Sequence, residues 1–424
     1  MMDFSILAAL TFAIFLPKNI NSVYIKQVGV IMEKFTISRN DDFYEAFADV
    51  VKTKSGVIIC TYREALTHSP VHGVNGSPGY CRIIVRRSLD GGLHWGDRQI
   101  ICATEDIKEG FAYNCSRLVV LANGTVMLVV DRFPPLSKGQ KFYHEQGILD
   151  EGSVCNIIFR STDDGKTWTT AQETSINTGI VPSIKELSNG DLLLGVCNPN
   201  RGGQLVHRSE DGGLTWSDYA AVPFDGDLDL NEGDFVELDN GTIVLYMRED
   251  NEGFTGWRSY SNDWGRSWSK AVRCRMLACR GRPSVGLLST GEVFITYRIA
   301  MPKISGPRAL ALFVESQEWS LHGDDLTDSF NSEEMQRFQI IDVDRNLVTD
   351  SGYSGWVELD DGSILVVNYI NEDAPRAFIR GYILNRRDWI LSPPGNIDWV
   401  GKGNIDMDDR QVDVGSKAYR NSIE

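Results

Sequence analysis

The chain has 424 residues, with 42 Lys and Arg against 58 Asp and Glu, for a formal charge of −16. That acidity excludes a nucleic-acid binder, which needs a basic face to release counterions. Hydrophobic residues at 42%, 40 glycines and ten tryptophans exclude both a disordered chain and an all-helical one, and point to many short strands and turns.

In chain order, the first feature is an apolar run over 4–15, FSILAALTFAIF. It is too short to span a bilayer, which takes about 20 residues, so no membrane span is expected. It has the length of a signal-peptide core, yet it follows Met-Met-Asp with no positive charge. Met32 opens a second start, MEKFTISRNDD. A start at Met32 implies a cytoplasmic protein, and a working leader over 1–31 implies a secreted or periplasmic one. Residues 32–424 read as a single domain.

Within that domain a β-rich run, a polar turn with glycine and a second β-rich run recur six times. The units are ADVVKTKSGVIICTY, SRLVVLANGTVMLVV, SIKELSNGDLLLGV, DFVELDNGTIVLYM, SVGLLSTGEVFITY and GWVELDDGSILVVNY, with turn glycines Gly56, Gly124, Gly190, Gly241, Gly291 and Gly362. Further strand candidates follow each unit. Six repeats of about four strands describe an all-β fold, a six-bladed β-propeller with four-stranded antiparallel blades. The blades are expected near 43–98, 112–170, 180–218, 230–270, 280–320 and 350–392.

A second motif, Ser-x-Asp-x-Gly-x-x-Trp, interleaves with the first at 88–95, 161–168, 209–216 and 261–268. Its logic is a tight turn: Asp caps the turn amides, Gly takes positive φ, and Trp packs between sheets. These motifs join the outer strands of a blade and read as structural. The fifth and sixth blades carry decayed versions, SQEW at 316–319 and NRRDW at 385–389. The eight cysteines form no CxxC pair, so they read as buried free thiols of a reducing compartment. No phosphate loop or dinucleotide fingerprint occurs, and no metal or cofactor is expected.

The first two strands of each blade form a hairpin, so the start of one and the end of the other share a rim. Nine residues before the turn glycines lie Phe47, Cys115, Val181, Glu232, Arg282 and Tyr353; seven after lie Arg63, Asp131, Cys197, Arg248, Arg298 and Tyr369. The start of the third strand adds Arg308. Five arginines therefore gather on one rim of a strongly acidic protein. This points to an anionic ligand, a carboxylate gripped by guanidinium forks. The alternative is that they pair with Glu232, Asp131 and Glu249 as structural salt bridges.

The four Asp motifs on six blades resemble the sialidase superfamily over roughly residues 43–390. The resemblance picks out Glu232 in NEGDFVELDNG, Arg248 in VLYMRED, Arg308 in RALALFVES and Tyr353 in SGYSGWVELDDG. It implies a tyrosine nucleophile, Tyr353, deprotonated by Glu232, with Arg248 and Arg308 on the substrate carboxylate. A neutral phenol suits a sugar whose anomeric carbon bears a carboxylate, because an anionic nucleophile would be repelled. Two departures stand out. The family's Arg-Ile-Pro arginine is replaced by Ala46, which leaves Arg282 or Arg63 to compensate. The loop after the first hairpin, YREALTHSPVHGVNGSPGY, has no Asp. Beside Arg63 and Tyr80 it offers only Glu64, His68 and His72 as titratable groups; His68 is the expected proton donor, with Asp131 in reserve.

The expected function is a sialidase-like exo-glycosidase that hydrolyses a terminal α-linked sialic acid or related acidic sugar, with an acidic glycan as its partner and no assigned oligomeric state. The alternatives are a uronate-directed polysaccharide lyase, with Tyr353 and His68 exchanging protons, or a carbohydrate-binding propeller without catalysis. The loop 131–147 is read as a lid or oligomer contact, and 321–338 as a polar insertion.

Overall fold

In the computed structural model Gly56 takes φ +88° between two buried strands. Its N–H donates to Thr53 O at 3.0 Å, and Thr53 N–H donates to Val57 O at 2.8 Å. A side chain would be strained at that φ, so glycine closes the short hairpin. The same pair of bonds joins Gly241, Leu238 and Thr242. The structure describes residues 32–68, 80–104, 110–133, 154–197, 203–251, 253, 255–300, 308–321, 338–346, 351–372 and 374–386. The leader over 1–31, His72, most of the loop 131–147 and nearly all of the insertion 321–338 lie outside the described residues.

The strands follow the repeat. After β1 (Glu33–Ser38), the first sheet comprises β2 (Tyr44–Lys52), β3 (Ile58–Ala65), β4 (Cys81–Ser88) and β5 (Gln99–Thr104). The second holds β6 (Ala112–Val120), β7 (Val126–Phe133), β8 (Cys155–Ser161) and β9 (Gln172–Glu173). The third holds β10 (Ile180–Glu186), β11 (Leu192–Cys197), β12 (Gln204–Ser209) and β13 (Ala220–Ala221). The fourth holds β14 (Leu230–Glu237), β15 (Ile243–Glu249), β16 (Thr255–Ser261) and β17 (Val272–Leu277). The fifth holds β18 (Ser284–Leu287), β19 (Val293–Ile299), β20 (Arg308–Glu315) and β21 (Phe338–Asp344). The sixth is built from β22 (Ser354–Glu358), β23 (Ile364–Ile370), β24 (Phe378–Leu384) and, at its outer edge, β1.

Each sheet has four antiparallel strands, paired in sequence order in the first five; in the sixth, β22, β23 and β24 follow that order and β1 pairs with β24. The first strands β2, β6, β10, β14, β18 and β22 pack each on the next, and β22 packs on β2. The result is a six-bladed propeller whose first strands surround the axis. Pairing of β1 with β24, Glu33 opposite Ile383 and Phe35 opposite Gly381, covers an edge that would otherwise be open.

The core lies between blades as layers of apolar side chains. Ile59 and Val85 of the first sheet meet Leu128 and Ile157 of the second, and Leu193 and Val206 of the third meet Phe235 and Leu245 of the fourth. Trp268, at the end of an Asp motif, belongs to the latter layer. In the first motif Ser88 Oγ donates to Asp90 Oδ1 at 2.8 Å and accepts from Gly92 N–H at 2.9 Å, while His94 N–H donates to Asp90 Oδ1 at 2.9 Å. The His94 backbone N–H, followed by its side chain, lowers the Asp90 carboxyl to about 2. These carboxylates are consumed by their own turns. In the fifth sheet Ser316 instead caps a single helical turn, α1 (Gln317–Ser320), accepting from Trp319 N–H at 3.2 Å.

Candidate active site

The rim opposite the turn glycines collects the side chains singled out by the repeat offsets, and β-bulges aim several of them. Pairing of β2 with β3 slips between Ala46 and Asp49, and pairing of β14 with β15 slips between Asn231 and Asp234. Within these bulges Phe47 has φ +60° and Glu232 φ +48°, a left-handed conformation uncommon for residues with side chains. The Glu232 N–H is held by Cys197 Sγ at 2.7 Å, which fixes the strained position from the neighbouring blade.

The centre of the site is a triangle. Tyr353, just ahead of β22, donates its phenol proton to Glu232 Oε2. Arg248, near the end of β15, donates through Nη1 to Glu232 Oε2 at 2.6 Å and to Tyr353 Oη at 2.7 Å. The other edge of the same guanidinium meets Asp250, with Nε to Oδ1 at 2.9 Å and Nη2 to Oδ2 at 2.6 Å. Burial works against the charge of Arg248, yet Glu232, Tyr353 and Asp250 hold it protonated well above its ordinary value. Burial likewise opposes ionisation of Asp250, but Arg248 and Arg280 keep that carboxyl below its ordinary value. Asp250 was not among the candidates. Its signal is the i, i+2 spacing from Arg248, the period of extended chain, which carries one residue past the end of β15. Glu249, one residue nearer, binds the backbone N–H groups of Asn251 and Gly253, each at 2.7 Å.

Of the five arginines expected in the cleft, three are enclosed: Arg63 is 0% exposed, Arg282 1% and Arg298 5%. Arg282 and Arg298 lie against the Tyr353 ring, with Cζ at 5.4 and 5.0 Å from its centroid. Arg298 donates to Ser351 O at 3.0 Å and through Nε to Arg280 O at 2.8 Å. Gly352 makes room for it, since a β-carbon there would come within 2.8 Å of Arg298 Cβ. Arg63 stands opposite Ala46 in the β2–β3 register, directly across from the position of the absent Arg-Ile-Pro arginine. Its guanidinium is covered by the Phe47 ring at 4.5 Å and bonded to Asn114 Oδ1 and His68 O. Expectation and structure therefore differ for these three: the offsets bring them to the rim, but packing turns them beneath its surface. Arg248 and Arg308 are partly exposed, and Arg308 opens β20 opposite Asp344.

His68 is exposed and stands edge-on to Phe47 at 5.5 Å and to Tyr44 at 5.7 Å between centroids. Phe47 in turn touches Tyr353 at 5.5 Å and Tyr369 at 5.4 Å. One side of the hub is thus aromatic and the other charged.

Asp131 faces away from the role of reserve acid. It is 0% exposed; Oδ1 accepts from Val181 N–H at 2.7 Å and Asn156 Nδ2 at 3.3 Å, and Oδ2 accepts from Cys115 N–H at 3.3 Å. It ties the second blade to the third. Burial pushes its carboxyl up to about 8, against those backbone donors. A folded value above the unfolded one, about 3.9, means that its contribution is complete below about pH 4 and is lost as pH rises through about 8. Wild-type stability is expected to fall across that window with a contribution of up to about 1.4 kcal/mol per pH unit. Urea unfolding at pH 5 and pH 8 should show a smaller difference for Asp131→Asn than for wild type.

Among the described residues no cluster of three or more His, Cys, Asp or Glu is placed to hold a metal ion, and no helix is long and apolar enough to cross a membrane.

The geometry can be set beside known proteins. A family profile described as "BNR repeat-like domain" matches residues 79–327. A sialidase from Micromonospora viridifaciens is 28% identical over 221 residues, 45% of this chain. The match covers 32% of that relative, so the chain spans about a third of its length. Among solved structures, a protein of unknown function from Dyadobacter fermentans superposes with TM-score 0.65 at 22% identity, over 83% of this chain and 98% of that one. The intramolecular trans-sialidase from Ruminococcus gnavus, in complex with oseltamivir carboxylate, gives TM-score 0.62 at 14% identity, over 86% and 99% of the two chains.

Proposed function

The chain belongs to the BNR repeat-like family, within the sialidase superfamily, and from that premise we propose that it is a retaining exo-glycosidase. Its substrate in this reading is a terminal α-linked sialic acid or a related acidic sugar. The observation that carries the reading is the triangle of Tyr353, Glu232 and Arg248.

In the first step the Tyr353 oxygen bonds to the anomeric carbon while its proton passes to Glu232. The bond to the leaving oxygen breaks, and His68 gives that oxygen a proton. In the second step neutral His68 takes a proton from water, the water oxygen bonds to the anomeric carbon, and the sugar–tyrosine bond breaks with the proton returning from Glu232. A neutral phenol approaches the carboxylated carbon without repulsion. Arg248 and Arg308, the partly exposed members of the arginine set, bind the substrate carboxylate. The oseltamivir carboxylate held by the Ruminococcus gnavus protein supports an acidic ligand here by likeness of fold.

The test is incubation with a panel of α-linked sialosides and uronate polymers, with products followed by chromatography and ultraviolet absorbance. Release of an intact acidic sugar is the expected result. An unsaturated, ultraviolet-absorbing product would indicate lyase chemistry instead, and binding without any product would indicate a lectin-like propeller.

A further inference from the structure

Arg282 presents an unusual arrangement for a charged group. It is 1% exposed; among the described residues Nη2 reaches two backbone oxygens, Ala48 O at 3.2 Å and Ser354 O at 3.3 Å. Its Nε and Nη1 atoms are buried without a hydrogen-bond partner among the described residues. A guanidinium cannot shed its charge in a protein, so burial without a carboxylate ligand is costly and calls for a compensating negative charge nearby. Arg117 and Asp49 lie close enough to act on its charge, and Arg117 leads on to Asp234 and Lys185. Arg117 meets Asp49 at 3.1 Å and Asp234 at 3.7 Å, and Lys185 meets Asp234 at 3.7 Å. Lys185 is one-third exposed at 34%, so the enclosed groups are Arg282 and Arg117 against Asp49 and Asp234, a balanced set in which Arg282 is the cation lying against the Tyr353 ring. Burial, and then Arg117, lower the Arg282 pKa, while Asp49 and the Tyr353 phenolate oppose them.

We propose that Arg282 is a positioning residue that acts through Tyr353, its enclosed charge stabilising the negative charge that develops on the phenol oxygen as the proton leaves. This rests on the reading of Tyr353 as nucleophile. The field is fixed before reaction begins and is little screened by water, the condition under which such charges act most strongly. Among the described residues, the charged and titratable groups facing Tyr353 include Glu232 from β14, Arg248 from β15, Arg282 ahead of β18, Arg298 from β19 and Tyr369 from β23; Phe47 from β2 is uncharged. Of the cations, Arg248 reaches the oxygen directly, whereas Arg282 has no carboxylate to bind among the described residues.

The experiment is a pH titration of isotope-labelled tyrosine by NMR, with the Tyr353 signal assigned from its absence in Tyr353→Phe. Arg282→Met removes the charge. Arg282→Gln removes it while keeping a donor for the two carbonyls, and serves should the Met variant not fold. Both are expected to ionise Tyr353 about one pH unit or more higher than wild type, with Arg282→Lys between them and wild type. The kcat for sialoside should fall about tenfold in the neutral variants with KM little changed. Unchanged Tyr353 titration in the neutral variants would overturn the proposal, whatever the activity. A shifted phenol in a protein that hydrolyses no sialoside would keep it and reject the glycosidase reading.

Discussion

Tyr353→Phe should leave a folded protein that hydrolyses an aryl α-sialoside at least about 10³-fold more slowly than wild type. The substitution deletes one oxygen and keeps the ring, so contacts with Phe47 at 5.5 Å and with the Arg282 and Arg298 guanidiniums are preserved. Arg248 still reaches Glu232, and that carboxylate keeps its ionic partner. The stability change should therefore be modest, about 1 kcal/mol by urea unfolding, the scale of one hydrogen bond. What disappears is the only atom that can form the covalent bond to the anomeric carbon. Substrate affinity should survive, because the carboxylate-binding residues are untouched. A variant that turned over sialoside at the wild-type rate would remove Tyr353 from the chemistry.

The glycine offsets located this site because a hairpin has fixed arithmetic. Counting back nine residues from Gly241 and Gly362 finds Glu232 and Tyr353, and counting forward seven from Gly241 finds Arg248. All three meet in space. The same counting found Arg63, Arg282 and Arg298, but strand arithmetic gives height along the axis and not depth beneath the surface. Depth is decided by neighbours from other blades: the Phe47 ring covers Arg63, and Tyr353 covers Arg282. Bulges at Phe47 and Glu232 carry no local signal, since neither residue is the glycine that a left-handed φ favours. Asp131 illustrates a third limit. A carboxylate beside a cleft and one clasping a neighbour's backbone have the same sequence signature, and only the Val181 and Cys115 N–H groups distinguish them. The outermost strand of the last blade, β1, comes from the opposite end of the chain, where no repeat marks it.

Arg248→Ala should damage stability and activity together, which sets it apart from the tyrosine substitution. The guanidinium satisfies Glu232 and Asp250 at 2.6 Å each, and both carboxylates lie largely out of solvent. Removing it leaves two like charges, with Arg280, 3.5 Å from Asp250, still in place beside one of them. Breaking a buried pair from one side costs about 3–5 kcal/mol, and a loss in that range is expected at neutral pH. Asp250 is held below its ordinary value in the wild type, so its favourable contribution is present above the unfolded value, near pH 4, and fades as the solution is acidified below it. The stability gap between wild type and Arg248→Ala should therefore be widest at neutral pH and shrink toward pH 3. Sialoside turnover should fall about 10²–10³-fold, the usual effect of losing one donor to developing charge, with a rise in KM because the substrate carboxylate loses a ligand. Arg248→Lys separates the two causes: it keeps the charge but cannot span Glu232, Tyr353 and Asp250 at once. It should recover most of the stability and little of the turnover. Equal recovery of both would mean that Arg248 acts only as a counter-charge, and that the paired geometry of its fork is immaterial to the reaction.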